Sequence, residues 1–261
     1  MKKTLVSFYA VLRAFGVDPI AFVRAWQRLP LFYRDLSALK KQKGDDKNFY
    51  FGKIKLQLTD RSSEAGTMSG HYFHQDLLVA KKIFQANPKK HVDIGSRLDG
   101  FVAHVAVFRE IEVLDIREQK SKVKNITFKK ADLMQPQGLE NYCDSISSLH
   151  AIEHFGLGRY GDPIDYHGYL KAIDNITRIL QQGGKFYFSV PIGKQRIEFN
   201  AHRVFSVAYL LDLFGNRFTI NSFSYVNDKG DLFENVELKC SAVENNFNCH
   251  WGCGIFEMTK I

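Results

Sequence analysis

Apolar positions divide the chain into two regimes. Up to residue 43 they recur at helical spacing, with Phe22, Trp26, Leu29, Phe32, Tyr33 and Leu36 set among arginines. That pattern predicts two short amphipathic helices, one before Asp18-Pro19 and one after it, the second bent or split at Pro30. Lys40 to Asp46 (KKQKGDD) reads as a solvated linker, and residues 44–69 as a lead-in. From residue 70 to 261, β-rich runs alternate with helical stretches. A helix is expected from Gln75 to Gln85, ended by Asn87-Pro88. Strands are expected at His91–Ile94, Ile111–Ile116, Ile126–Ala131, Ser145–Leu149 and Lys185–Val190. Helices are expected at Tyr169–Leu180, stopping near Gly183-Gly184, and at Val204–Phe214, followed by β-rich segments at Phe218–Val226 and Gly254–Met258. Such alternation predicts an α/β fold, a doubly wound and mostly parallel sheet covered on both faces, with a helical N-terminal extension.

Composition narrows the class. Hydrophobic residues make up 45% of the 261, enough for a packed core, which excludes global disorder. No apolar run reaches the ~18 to 20 residues of a membrane span. Four cysteines are too few for a disulfide scaffold of this size and point to a reducing cytoplasm. Lys2 and Lys3 precede an apolar stretch in the manner of an export signal, but Arg13 interrupts it and no small-residue cleavage site follows.

Charge is unevenly placed. The net charge is +8, and residues 1–43 carry nine Lys/Arg against two Asp, so nearly all of the excess lies there. This argues against a nucleic-acid enzyme, which would spread basic charge over its active face. It leaves two roles for residues 1–43: a helical cap, or peripheral contact with an anionic membrane surface or a partner.

Candidate chemistry sits at the C-terminal ends of the strands, where open α/β sheets bind ligands. The first runs into Asp93-Ile94-Gly95-Ser96-Arg97, a glycine turn beside a carboxylate. The second ends in Asp115-Ile116, 22 residues after Asp93, the interval at which an acidic residue takes the hydroxyls of a ribose. The third ends in Asp132-Leu133, whose carboxylate suits an adenine amino group. The fourth runs into His150-Ala151-Ile152-Glu153-His154, with His150 placed as a buried, hydrogen-bonded residue at the strand end.

Three acidic strand ends in this order resemble the binding line of class I S-adenosylmethionine-dependent methyltransferases. That fold closes with two further strands, the last inserted antiparallel, which implies seven strands in all. The segments Gly70–Asp76, Val92–Arg97, His154–Pro163 and Phe199–Phe205 further resemble a methyltransferase-like family of unknown function found among bacterial surface-polysaccharide genes. The resemblance implies S-adenosylmethionine as cofactor, held by Tyr72, His74, Gln75, Asp93, Gly95, Ser96, Arg97, Asp115, Ile116, Asp132, Leu133 and His150. It also implies a glycan acceptor. The chain departs from the usual glycine-rich turn, with Arg97 and Asp99 where further glycines stand.

Methyl transfer to a hydroxyl needs a base, for which the candidates are His154, His202 and Asp162, with Asp165 and Glu153 behind them. Arg97, Arg159, Lys194, Arg196 and Arg203 converge on the same loops and suit a phosphorylated acceptor. His71 with His74, and the Cys249-His250-Trp251-Gly252-Cys253 run, hold metal-type ligands but lack a second matching pair, so no metal site is assigned.

Overall fold

The computed structural model describes residues 2–261; Met1, and the side chains of residues 2–7 and of Ser62, lie outside the described set. The chain resolves into two compact units, Met1–Thr67 and Met68–Ile261. The first holds α1 (Lys2–Ala14) and α2 (Pro19–Lys43). Asp18 caps α2, accepting from Ala21 N at 2.9 Å and from Tyr9 Oη at 3.0 Å. The expected break at Pro30 does not occur, and the helix also takes in part of the expected linker. None of its residues is buried, so the carbonyl that loses its amide partner at Pro30 is hydrated and the helix continues. Within this unit Arg28 donates to the carbonyls of Leu58 and Thr59.

The second unit opens with α3 (His71–Ala86), which starts a turn earlier than expected and ends at Asn87 in the left-handed conformation before Pro88. There follow β1 (His91–Ile94), α4 (Ala103–Ala106), β2 (Ile111–Asp115), β3 (Ile126–Lys130), β4 (Cys143–Leu149), α5 (Gly168–Ile179) and β5 (Leu180–Ile192). A hairpin, β6 (Arg196–Glu198) with β7 (His202–Val204), precedes α6 (Val207–Gly215). The chain closes with β8 (Phe218–Val226), β9 (Leu232–Phe233), α7 (Cys240–Glu244) and β10 (Gly252–Lys260).

The main sheet has the order β3-β2-β1-β4-β5-β10-β8-β9. Its first five strands are parallel, while β10 runs antiparallel between β5 and β8. Seven strands match the expected set; β9 adds a two-residue eighth at the edge. The start expected for the helix at Val204 falls in β7 instead, and Ser206 caps α6 two residues further on. Side chains alternate across the sheet: Phe186 and Phe188 join one core with Ile173 and Ile176 of α5 and Phe214 of α6. Tyr187 faces the other way, into a core with Val79 and Ile83 of α3 and Val105 of α4. Chain order reverses on either side of β1, which places a switch point between β1 and β4.

Candidate active site

A cavity of about 340 Å³ lies at that switch point, lined from the C-terminal ends of β1 to β4. This volume falls in the range of sites for small ligands. Its first wall is the turn after β1. Gly95 has φ +69°, and a Cβ there would stand 3.1 Å from Ala151 Cβ, so glycine lets the backbone close onto the β4 loop. Asp93 braces the turn from below: it accepts from Ser96 N at 3.0 Å, from Ser96 Oγ at 2.6 Å and from Ser147 Oγ at 2.6 Å. Burial raises its pKa to about 6 despite these bonds. Asp93 is fully buried and absent from the cavity lining, so it positions Gly95 and Ser96 and does not itself face a ligand.

Gly95, Ser96, Arg97, Asp115, Ile116, Asp132, Leu133 and Tyr72 all line the cavity. Two carboxylates are already engaged. Asp115 accepts from Arg117 N at 2.8 Å and from Arg117 Nε at 2.9 Å, and the guanidinium lies 4.7 Å from the Tyr160 ring. Asp132 accepts from Met134 N at 2.9 Å. Arg97 and Asp99 pair with each other, and Arg97 stands over the Tyr72 ring at 5.0 Å, so the missing glycines are replaced by an ion pair at the rim. His74 and Gln75 are not brought to the cavity. Gln75 is buried behind it, accepting from Ser189 Oγ at 2.6 Å, because the start of α3 turns that face onto β5.

The β4 end is built differently. His150 lines the cavity in a left-handed conformation, φ 50°, with Nδ1 2.7 Å from Glu153 Oε1. Burial opposes charge on this pair, yet Cys253 and Glu153 together raise the His150 pKa well above its usual value. Burial likewise opposes charge on Glu153, and His150 with His154 outweighs it and lowers that pKa. Among the described residues His150 Nε2 and Glu153 Oε2 are buried with no hydrogen-bond partner. His154 also lines the cavity. Its Nδ1 donates to Ala201 O at 2.7 Å, leaving the Nε2 lone pair 3.8 Å from Glu153 Oε1. Burial lowers its pKa, with Glu153 opposing.

The remaining base candidates are taken. Asp162 lines the cavity, but its carboxylate accepts from the amides of Gly156, Gly158 and Tyr160 at 2.8, 3.2 and 3.1 Å and shapes their loop. Asp165 accepts from His167 N and pairs with Lys171. His202 lies outside the lining and accepts from Trp251 Nε1 at 3.0 Å.

The basic cluster is likewise committed. Arg203, only 4% exposed, donates to the carbonyls of Glu153, Phe155 and Tyr166, clamping the β4 loop to the segment before α5. Arg159 reaches Ala201 O, and Arg196 reaches Glu198 and His250 O. The sequence reading also missed Arg117 and the meeting of His71, His150 and Cys253, whose donor atoms lie within 4.8 Å of one another.

The family profile described as "Caenorhabditis protein of unknown function, DUF268" matches residues 92–248, more than half of the chain, from within β1 to just before β10. The chain belongs to the DUF268 family. No curated protein sequence matches it. Among solved structures, this DUF268 chain is similar to the Burkholderia thailandensis 1,6-didemethyltoxoflavin-N1-methyltransferase, solved with 1,6-didemethyltoxoflavin and S-adenosylhomocysteine. The TM-score is 0.51 at 16% identity, over 71% of this chain and 78% of that one. It is also similar to the [4+2]-cyclase SpnF, with a TM-score of 0.50 at 14% identity, over 72% of this chain and 80% of that one. At these identities the likeness establishes a methyltransferase Rossmann-like fold for the DUF268 chain.

Proposed function

We infer that the protein is an S-adenosylmethionine-dependent O-methyltransferase acting on a sugar hydroxyl of a surface-glycan precursor. The observation that carries this reading is one cavity at the switch point with acidic strand ends along one wall and an imidazole acceptor at the other. The turn at Gly95 fits the cofactor, since a Cβ there would press on Ala151 and stiffen the cradle. Ser96 and Arg97 would hold its methionine part, Asp115 its ribose and Asp132 with Leu133 its adenine. Held there, the cofactor would supply an activated methyl on a sulfonium, with a neutral thioether as the leaving group. His154 Nε2 takes the hydroxyl proton, and its Nδ1 bond to Ala201 O fixes the ring for that task.

The glycan setting rests on the resemblance of the four sequence segments. Of the basic residues suited to a phosphorylated acceptor, Arg203 is held by carbonyls, while Arg159 and Arg196 each keep donors beyond those already bonded. For residues 1–43, positive charge and exposed Phe15, Phe22 and Trp26 support peripheral contact with an anionic membrane from the cytoplasmic side. No helix among the described residues is long and apolar enough to cross a membrane.

Calorimetry with S-adenosylmethionine and S-adenosylhomocysteine tests the enzyme reading: saturable binding of both is expected, and no heat at millimolar ligand overturns it. Sedimentation with anionic vesicles tests the extension. The full chain should co-sediment at low salt and release as salt rises; indifference to vesicles sinks that part alone.

A further inference from the structure

His71 opens α3, His150 follows β4, and Cys253 lies in β10, where it pairs with Pro191 of β5 and Val226 of β8. These three distant elements deliver two imidazoles and a thiol to one buried point. We propose that His71, His150 and Cys253 form a binding site for a borderline-soft divalent cation, zinc foremost, with the cavity supplying the remaining coordination position.

Three observations carry it. The donor atoms lie within 4.8 Å of one another, and all three residues are buried. Zinc bonds of about 2.0–2.1 Å to nitrogen and 2.3 Å to sulfur set tetrahedral donors about 3.3–3.6 Å apart, so closure needs roughly an ångström. Second, the other nitrogen of His150 is held from behind, with Nδ1 2.7 Å from Glu153 Oε1, and the His71 ring packs against the His150 ring with centroids 5.2 Å apart. A carboxylate or carbonyl behind a ligating histidine fixes its tautomer and raises its basicity. Third, His150 Nε2 is left buried and without a hydrogen-bond partner among the described residues, which is costly unless something else binds it.

The donor set selects the cation. Two nitrogens and one sulfur suit zinc and exclude magnesium or calcium, which require oxygen ligands. Three protein ligands also mark a site that keeps a position open, unlike a four-ligand structural site. His150 is the ligand that lines the cavity, so the open position belongs on that side. There the cation could polarise an acceptor oxygen or sulfur, a role that rests on the methyl-transfer reading; the site itself does not.

The test uses the full chain, stripped by chelator under reducing conditions and titrated with cobalt(II). One equivalent should bind, with the intense visible bands of a tetrahedral site and a thiolate charge-transfer band, both removed by zinc. Cys253→Ala should abolish the charge-transfer band, His71→Ala should weaken binding at least ~100-fold, and Glu153→Gln roughly 10- to 100-fold. Cys249→Ala, at the neighbouring cysteine, should change nothing. X-ray absorption of the wild-type zinc form needs no variant: one sulfur and two imidazole nitrogens in the first shell are expected. No equimolar binding, a shell lacking sulfur, or a band that survives Cys253→Ala and vanishes in Cys249→Ala overturns the site. Calorimetry with S-adenosylhomocysteine on the same samples keeps the two ideas apart, since metal binding without cofactor binding leaves the site standing and removes only the enzyme reading.

Discussion

The two ends of the cavity solve the burial of polar groups in opposite ways. At the β1–β3 end the carboxylates at the strand ends have partners from their own chain: Asp93 on Ser96 and Ser147, Asp115 on Arg117, Asp132 on Met134. At the β4 end, His150 Nε2 and Glu153 Oε2 are buried without a hydrogen-bond partner among the described residues, and the His150 backbone is left-handed. A satisfied wall is rigid before any ligand arrives, so it lowers the ordering cost of binding. Leftover donors and acceptors cost stability while nothing engages them and gain most when a ligand or proton does. The β1–β3 end therefore reads as a binding surface and the β4 end as the reactive one.

The sharpest way to break this contrast is His154→Ala. Once an acceptor is known, turnover should fall by roughly 10²- to 10⁴-fold. Cofactor affinity should stay within a few-fold, measured by calorimetry on the same protein. Equal losses of affinity and melting temperature would make His154 structural and erase the difference between the ends.

Next come the two glycines. A Cβ on Gly156, at φ +77°, would stand 1.9 Å from Asp165 O, whereas one on Gly95 meets Ala151 Cβ at 3.1 Å and Asp115 Oδ2 at 3.9 Å. Gly156→Ala should cost about 3 kcal/mol or more in urea unfolding, and Gly95→Ala about 1–2 kcal/mol. The second should nonetheless lose more cofactor affinity, because its turn touches the binding wall. Reversal of that order would argue that the β4 loop, not the β1 turn, carries the cofactor.

Asp115 and Arg117 separate binding from bracing. Asp115→Ala should weaken S-adenosylhomocysteine binding by about 1.5–3 kcal/mol if its bonds to the ribose are charge-assisted. Arg117→Ala should leave affinity unchanged or improved, since it frees the carboxylate. A matching loss in both variants would mean that the ion pair itself is what the ligand needs.

A further test of the satisfied wall is the pH dependence set by Asp93. Its folded pKa of about 6 exceeds the ordinary 3.8, so the folded state holds the proton more tightly. The stability it contributes is present below about pH 3.8 and lost as pH rises through 6. Wild-type stability relative to Asp93→Asn should thus fall by about 1–3 kcal/mol between pH 4 and pH 7. A flat difference would place the carboxylate in contact with solvent or ligand after all.

Much of the frame was legible in the sequence. Buried strands announce themselves as β-branched and aromatic runs, and the acidic ends of β2 and β3 fall on the cavity because each strand stops where the sheet does. What failed to show was partnership. Whether Asp93 faces a ligand depends on Ser147, far along the chain, and whether Arg203 binds phosphate depends on carbonyls it happens to reach. Asp162 likewise carried no local signal, since its carboxylate folds back onto the amides of Gly156, Gly158 and Tyr160 that precede it. The meeting of His71, His150 and Cys253 carried none, since only the register of β10 between β5 and β8 brings the thiol home.

That register has a consequence for synthesis. Translation delivers β5 and β8 before β10, yet β10 lies between them and pairs with both. Until it emerges, each presents an unpaired edge, and Phe186, Phe188 and Phe223 lack the Phe256 that packs among them. A nascent chain stalled short of Gly252 would hold two half-sheets with exposed aromatic edges, the state most open to chaperone capture or misassembly. The strand that joins β5 to β8 is also the one that brings Cys253 to His71 and His150, so pairing of the sheet and assembly of that buried cluster are one step.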